Sequence, residues 1–143
     1  MQDLYRAPES VLENTLPTYR PSAGWKIFFF IMVPLEIYSQ YLGFTSNDWG
    51  MPIWWLVISL MVYSLFYLAL FGLAFAKKIA FPQLWIFYLP VLVLTDIFEF
   101  SLLVKDLNMS SLGNQIIVML YLMLILFTWH IVYKYQKIMR YFT

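Results

Sequence analysis

The sequence contains no cysteine and only one histidine, His130, among its 143 residues. The absence of cysteine excludes disulfides, thiolate metal sites, thiol catalysis and attachment of a lipid through a cysteine. A lone histidine has no second imidazole or thiolate with which to complete a metal site, so we predict no metal and no cofactor. Charge is also scarce: 12% of the residues are charged and the net charge is +1. Because phosphate binding needs clustered basic residues, we expect no nucleic-acid partner.

Apolar residues are what the chain has in abundance. They make up 62% of it, whereas an average soluble domain is about half apolar. A membrane-spanning helix needs roughly 20 residues, with a range of about 17 to 25. Four apolar segments fall within that range: 25–42, 53–76, 83–104 and 115–133. Since the connections between them are short, the segments predict an all-α integral membrane protein, a four-helix bundle with up-down-up-down topology. Membrane lipid is the expected partner.

The positions of the basic residues predict the orientation of these helices. Positive charge near short loops is retained in the cytoplasm, and Lys105 is the single basic residue on the side opposite the others. Both termini are therefore expected on the cytoplasmic side, with 1–24 as an N-terminal tail and 134–143 as a basic and aromatic C-terminal tail. The eight residues on the cytoplasmic side are Arg6, Arg20, Lys26, Lys77, Lys78, Lys134, Lys137 and Arg140.

Tryptophan and basic residues near the ends of the segments are expected to anchor the bundle at the lipid interface. An indole ring prefers the headgroup level, where it is both wet and apolar. Basic side chains that alternate with aromatic ones suit a membrane surface of anionic lipid. The predicted anchors are Trp25, Trp54, Trp55, Trp85, Trp129, Lys134, Lys137 and Arg140.

A short stretch of the N-terminal tail resembles a known group of proteins. The run 4–13 contains Tyr5-Arg6-Ala7-Pro8 ahead of the first hydrophobic segment. This Tyr-x-Ala-Pro pattern resembles the cytoplasmic leader of small uncharacterised bacterial inner-membrane proteins. The resemblance covers under a tenth of the chain and includes no catalytic residue. It implies a multi-pass protein of the bacterial inner (plasma) membrane and implies no activity.

Three carboxyl groups fall inside the predicted spans, where an ionised side chain costs roughly 2.5–3.5 kcal/mol at the centre. Counted at ~1.5 Å per residue from the outer ends of their segments, Asp96 lies roughly 12 Å deep, Glu36 roughly 9 Å and Glu99 roughly 7 Å. Asp96 and Glu99 share a helix face because they are three residues apart. His130 lies near the opposite end and is expected at the interface. The candidate site at this level comprises Glu36, Gln40, Tyr63, Asp96, Glu99 and Tyr121.

The predicted layer contains three acids and no base. Lys105 could reach back from its loop, but one ammonium cannot neutralise three carboxylates. The remaining options are protonation of the carboxyls, a bound cation, a water-filled vestibule, or a basic residue of another subunit.

Two function classes follow from this layer. The first is a small non-catalytic membrane protein, an accessory, assembly or regulatory subunit whose acids dock onto another membrane protein or a second copy of itself. The alternative is a proton- or cation-coupled transport element that uses the carboxylates directly. An enzyme is not expected, because the sequence contains no recognisable nucleophile and base pair, metal triad or phosphate loop.

The charge distribution makes a testable prediction about topology. Reporter domains fused after residue 143 or within 77–81 should read cytoplasmic, and those inserted within 45–50 or 110–113 should read external. Paired phosphatase and fluorescent-protein fusions measure this directly. An external C-terminus would contradict the charge argument.

Overall fold

The computed structural model describes residues 19–45, 52–107 and 110–142. They form four helices, α1 (Ala23–Thr45), α2 (Ile53–Phe75), α3 (Pro82–Asp106) and α4 (Leu112–Ile138), and a final 3-10 turn (Met139–Tyr141). Each of the four helices is long and apolar enough to cross a membrane. This confirms the prediction of an all-helical chain with four helices of spanning length. The predicted leader, most of the N-terminal tail and the connection 46–51 lie outside the described residues.

The end of α4 differs from the prediction of a separate C-terminal tail. The helix continues to Ile138, and Tyr135 and Met139 are fully buried, with Phe142 nearly so. Tyr135 in α4, Met139 in the 3-10 turn and Phe142 just after it all pack inward. Lys137 lies on the exposed side. The basic residues of this region therefore border a helix that belongs to the core, and the side chain of Arg140 lies outside the described part.

The closely packed core lies towards one end of the bundle. It is built from the second half of α2, the first half of α3 and the last turns of α4 with the segment that follows. Burial of these side chains removes apolar and aromatic surface from contact with the surroundings and fixes the three helices against each other. The core residues are Val62, Phe66, Ala69, Leu70, Leu73, Trp85, Tyr88, Leu92, Ile131, Val132, Tyr135, Met139 and Phe142.

Tyr135 also connects α4 to the segment between α2 and α3. Its hydroxyl accepts a hydrogen bond from the backbone N–H of Ile79 at 2.8 Å and donates one to the carbonyl oxygen of Lys77 at 3.0 Å. The indole N–H of Trp85 donates to the carbonyl oxygen of Ile79 at 3.0 Å. Backbone groups of this connection are thus satisfied by buried side chains, as apolar surroundings require.

The four helices do not contribute equally to the packing. α2 contacts all three of the others, and α3 packs against α4. The close contacts of α1 are with α2, and Gly43 is the one buried residue among those in α1. The bundle is therefore centred on α2, with α1 at its periphery.

Gly72 lies where α2 meets the Tyr135 ring, which makes a prediction about stability. A methyl group on residue 72 would lie 2.6 Å from Cζ of Tyr135, and that ring is held by its hydrogen bonds and cannot easily move. Gly72→Ala should therefore destabilise the fold by about 1–3 kcal/mol, seen as a lower melting temperature in detergent.

Gly113→Ala is the matched control for that substitution. A methyl group on residue 113 would find its nearest neighbour, Ser111 Oγ, at 3.7 Å, which is an ordinary contact. Its melting temperature should equal or slightly exceed that of the wild type. Equal melting temperatures for the two variants would contradict the packing described around Tyr135.

Candidate functional site

A cavity of about 530 Å³ lies beside the packed core and is lined by residues of all four helices. Its size falls within the range of about 300–1,000 Å³ that is typical of sites for small molecules. α1 provides one wall, α2 another, and α3 with α4 the rest. The six residues of the predicted layer all line it: Glu36, Gln40, Tyr63, Asp96, Glu99 and Tyr121.

The wall formed by α2 is a stripe of polar aromatic and hydroxyl side chains. Trp55, Ser59, Tyr63 and Tyr67 follow one another at intervals of four residues, so they lie on the same face of the helix. All four line the cavity. We call this set the α2 polar stripe.

Tyr63 lies between two carboxyl groups of α3. Its hydroxyl oxygen is 2.7 Å from Oδ1 of Asp96 and 2.9 Å from Oε2 of Glu99. A phenol has one proton and can donate one hydrogen bond. With both carboxyl groups ionised, Tyr63 has a single proton to divide between the two oxygens. With a proton on one of them, that carboxyl group donates to the Tyr63 oxygen while Tyr63 donates to the other, which gives two full hydrogen bonds. The geometry therefore suits a pair of carboxyl groups that holds one proton.

The remaining oxygens of this pair accept from neutral donors. The indole N–H of Trp129 donates to Oδ2 of Asp96 at 2.7 Å. Ser59 donates to Oε1 of Glu99 at 2.9 Å, and the indole N–H of Trp55 donates to the same oxygen at 3.3 Å. Asp96 is 2% exposed, so these protein groups replace the water that would otherwise solvate it. They supply hydrogen bonds but no positive charge.

Glu36 occupies the opposite wall, on α1. Oε1 accepts from the side-chain amide of Gln40 at 2.8 Å, and Oε2 accepts from the Tyr67 hydroxyl at 3.4 Å. The longer distance indicates a weaker contact than those in the Asp96 and Glu99 pair. Among the described residues, no three His, Cys, Asp or Glu side chains come together as a metal site. The three acids thus form a pair and a separate single carboxyl around one cavity.

The described residues that line the cavity include no Lys, Arg or His. Some of the basic side chains that the structure describes lie on aromatic rings elsewhere. Lys26 lies 5.7 Å from the centre of the Phe75 ring, and Lys134 lies 4.8 Å from that of Trp25. Charge at the cavity is therefore set by its carboxyl groups, and a proton or a bound cation can neutralise it.

Several of the predicted interface anchors have other contacts in the structure. Trp85 is fully buried in the core, and the indole N–H groups of Trp55 and Trp129 donate to the carboxyl pair. Full burial of Trp85 leaves its ring no contact with the headgroup layer, and its indole N–H is satisfied by a backbone carbonyl. Trp55 and Trp129 are half-buried, and their role as anchors stays a prediction. Trp54 is exposed, as an anchor would be. Trp25 is half-buried and lies beneath Lys134.

Trp55, Tyr67 and Trp129 were not predicted as members of the site. For Trp55 and Tyr67 a signal was present, namely the four-residue spacing that continues the stripe from Tyr63 in both directions. Trp129 is two helical turns after Tyr121 on the same face of α4, which is a weaker signal. The spacing alone does not show that the Trp129 indole is long enough to reach Asp96 from its own turn of α4.

Comparison of the chain with models of protein families, with curated proteins and with solved structures gave no match in any of the three. Function therefore has to be inferred from the residues of the chain itself.

The arrangement around Asp96 makes a prediction about stability. If the pair holds one proton, an amide can replace a protonated Asp96: its oxygen accepts from Trp129, and its NH₂ group donates to Tyr63. Asp96→Asn should therefore change the free energy of unfolding by less than about 1 kcal/mol. Thermal unfolding in detergent measures this.

Asp96→Ala is the comparison. It leaves the Trp129 N–H and one side of Tyr63 without a partner, and each such loss costs about 1–3 kcal/mol. A destabilisation by Asp96→Asn as large as that by Asp96→Ala would show that the site requires an ionised Asp96.

Proposed function

We propose that this chain is a non-catalytic, multi-pass membrane protein that binds protons or cations in its carboxyl-lined cavity and acts as a proton- or cation-coupled transport element. One observation carries the proposal: two carboxyl groups share the single hydroxyl of Tyr63 inside a cavity whose described lining has no basic residue. A proton on this pair can be exchanged for another single positive charge without changing the net charge of the pair. No bond cleavage and no cofactor are assigned.

Helix contacts support the up-down-up-down topology within this proposal. Trp55 at the start of α2 contacts Glu99 near the end of α3. Trp85 at the start of α3 packs against Tyr135 near the end of α4, and Phe29 early in α1 packs against Phe75 at the end of α2. Contacts of this kind are those that antiparallel neighbours make.

We also propose that both termini are cytoplasmic and that the membrane is the bacterial inner (plasma) membrane. The orientation is supported by the eight basic residues that would share the cytoplasmic side. The choice of membrane is supported by the resemblance of the Tyr5-Arg6-Ala7-Pro8 leader. In this orientation the packed core faces the cytoplasm and the cavity lies in the outer half.

An accessory, assembly or regulatory subunit is the second candidate function, and one observation favours it. α1 is long and apolar, yet Gly43 is the one buried residue among those the structure describes in it. Such a helix suits packing against another membrane protein or a second copy of this chain, with lipid on the remaining surface. The internal hydrogen bonds of the acids argue against their use as docking points.

The transport proposal is tested with the purified chain reconstituted in lipid vesicles that contain a pH-sensitive dye. With a pH gradient across the vesicle membrane, wild-type protein should move protons when a membrane potential is imposed. It should also move protons when a cation is added outside the vesicles. Glu99→Gln should strongly reduce this movement, because it removes one of the two carboxyl groups between which the proton is shared.

Tyr38→Phe is the control, since Tyr38 is exposed on α1 and does not line the cavity. It should transport as the wild type does. If wild-type protein moves no protons under either condition, and native membranes instead yield a stoichiometric partner on affinity purification in mild detergent, the accessory function is the correct one.

A further inference from the structure

The cavity is much larger than an inorganic ion requires. Bare metal cations are held by oxygen atoms that surround them at about 2–2.6 Å, whereas this cavity encloses about 530 Å³. The described acids also do not converge on one point as metal ligands do. The space therefore fits a molecule with many atoms.

Most of the lining is apolar, so this molecule must present apolar surface. Apolar side chains from all four helices provide that lining. Contacts of this kind are favourable only for a ligand with hydrocarbon or aromatic groups. Representative members are Met32, Leu56, Phe66, Leu102, Leu103 and Ile117.

The charge of the ligand follows from the polar part of the lining. The described lining includes three carboxylic acids, Glu36, Asp96 and Glu99. It includes no basic residue that could bind an anion. Tyr63 and Tyr121 add electron-rich rings beside the carboxyl groups. Carboxylates next to aromatic rings attract organic cations, most of all cations whose charge is spread over apolar groups and costs little to desolvate.

α1 forms one side of the cavity. α1 packs closely against α2, whereas the opposite walls of the cavity belong to α3 and α4. Ring contacts between α1 and α4 adjoin one end of the cavity, where Trp25 and Phe28 touch Phe127, next to the lining residue Thr128. At the level of Glu36, the α1 wall is therefore separated from α3 and α4 by the cavity itself.

We propose that the cavity binds a lipophilic organic monocation and that the Asp96, Tyr63 and Glu99 group releases its shared proton when the cation binds. This inference rests on the proposed function and names its substrate class. In the exchange, the carboxylic O–H bond breaks and the proton passes to water. The cation replaces the proton as the one positive charge beside the two carboxylates, and Tyr63 stays neutral and donates to one of them. The charge of the cavity is the same before and after.

The test uses tetraphenylphosphonium as the cation and tetraphenylborate, which has the same shape and the opposite charge, as its control. Isothermal calorimetry with purified protein, corrected with empty micelles, should detect binding of the cation and none of the borate. Measured in two buffers of different ionisation enthalpy, binding should release about one proton per cation. In the wild type, the Kd for tetraphenylphosphonium should fall about tenfold for each unit by which the pH is raised, as long as the pair remains protonated before the cation binds.

Two variants accompany this measurement. Glu99→Gln should weaken binding of tetraphenylphosphonium by at least about tenfold, which corresponds to a loss of roughly 1.4 kcal/mol. Tyr38→Phe should bind as the wild type does. The pH dependence of the wild type tests the inference even if Glu99→Gln does not fold.

Three results would overturn the inference. Equal binding of tetraphenylphosphonium and tetraphenylborate would reduce the cavity to an apolar pocket without charge selection. Binding of the cation without release of a proton would refute the proposed exchange of the shared proton for the cation. Absence of cation binding, together with proton movement in vesicles, would refute the organic substrate and leave the proposed proton or cation transport in place.

Discussion

Carboxyl groups in an apolar bundle must be neutralised or fully hydrogen-bonded, and this constraint organises the half of the structure that contains the cavity. Tyr63 is its central group, because one hydroxyl of α2 contacts both Asp96 and Glu99 of α3. Trp129 extends the group to α4 through its hydrogen bond to Asp96. These hydrogen bonds fix how α2, α3 and α4 are rotated about their own axes, because rotating any one of them would separate a donor from its acceptor. A buried polar network of this kind is stabilising only while every member is satisfied.

The other half of the bundle is held by apolar packing and needs no such network. Tyr135, Trp85 and Leu73 are fully buried there, and the α2 backbone approaches the Tyr135 ring at Gly72. The chain therefore combines a rigid core at one end with a polar cavity at the other. α1, which contributes Glu36, forms one wall of the cavity and packs mainly against α2.

Much of this architecture could be predicted from the sequence, because length and hydropathy identify helices that must satisfy their own backbone groups. Counting residues from the helix ends also placed Glu36, Asp96 and Glu99 at one level. The rotation of each helix was harder to predict, since almost every face of these helices is apolar and gives no preferred direction. Trp85 and Trp129 are predicted at the lipid interface because they lie near the ends of their segments, whereas the structure buries Trp85 and directs the Trp129 N–H to Asp96. Tyr135 was assigned to a surface tail because its basic neighbours hid the apolar face that it shares with Met139 and Phe142.

The central claim is that Asp96 and Glu99 together hold one proton through Tyr63. Infrared difference spectroscopy of the purified protein between pH 6 and 8 tests it most directly, because a protonated carboxyl group has a C=O stretching band distinct from that of a carboxylate. The account predicts such a band in the wild type, retained in Glu36→Gln and altered or lost in both Asp96→Asn and Glu99→Gln. Absence of the band from the wild type throughout this pH range would contradict the account, and so would a band that disappears only in Glu36→Gln.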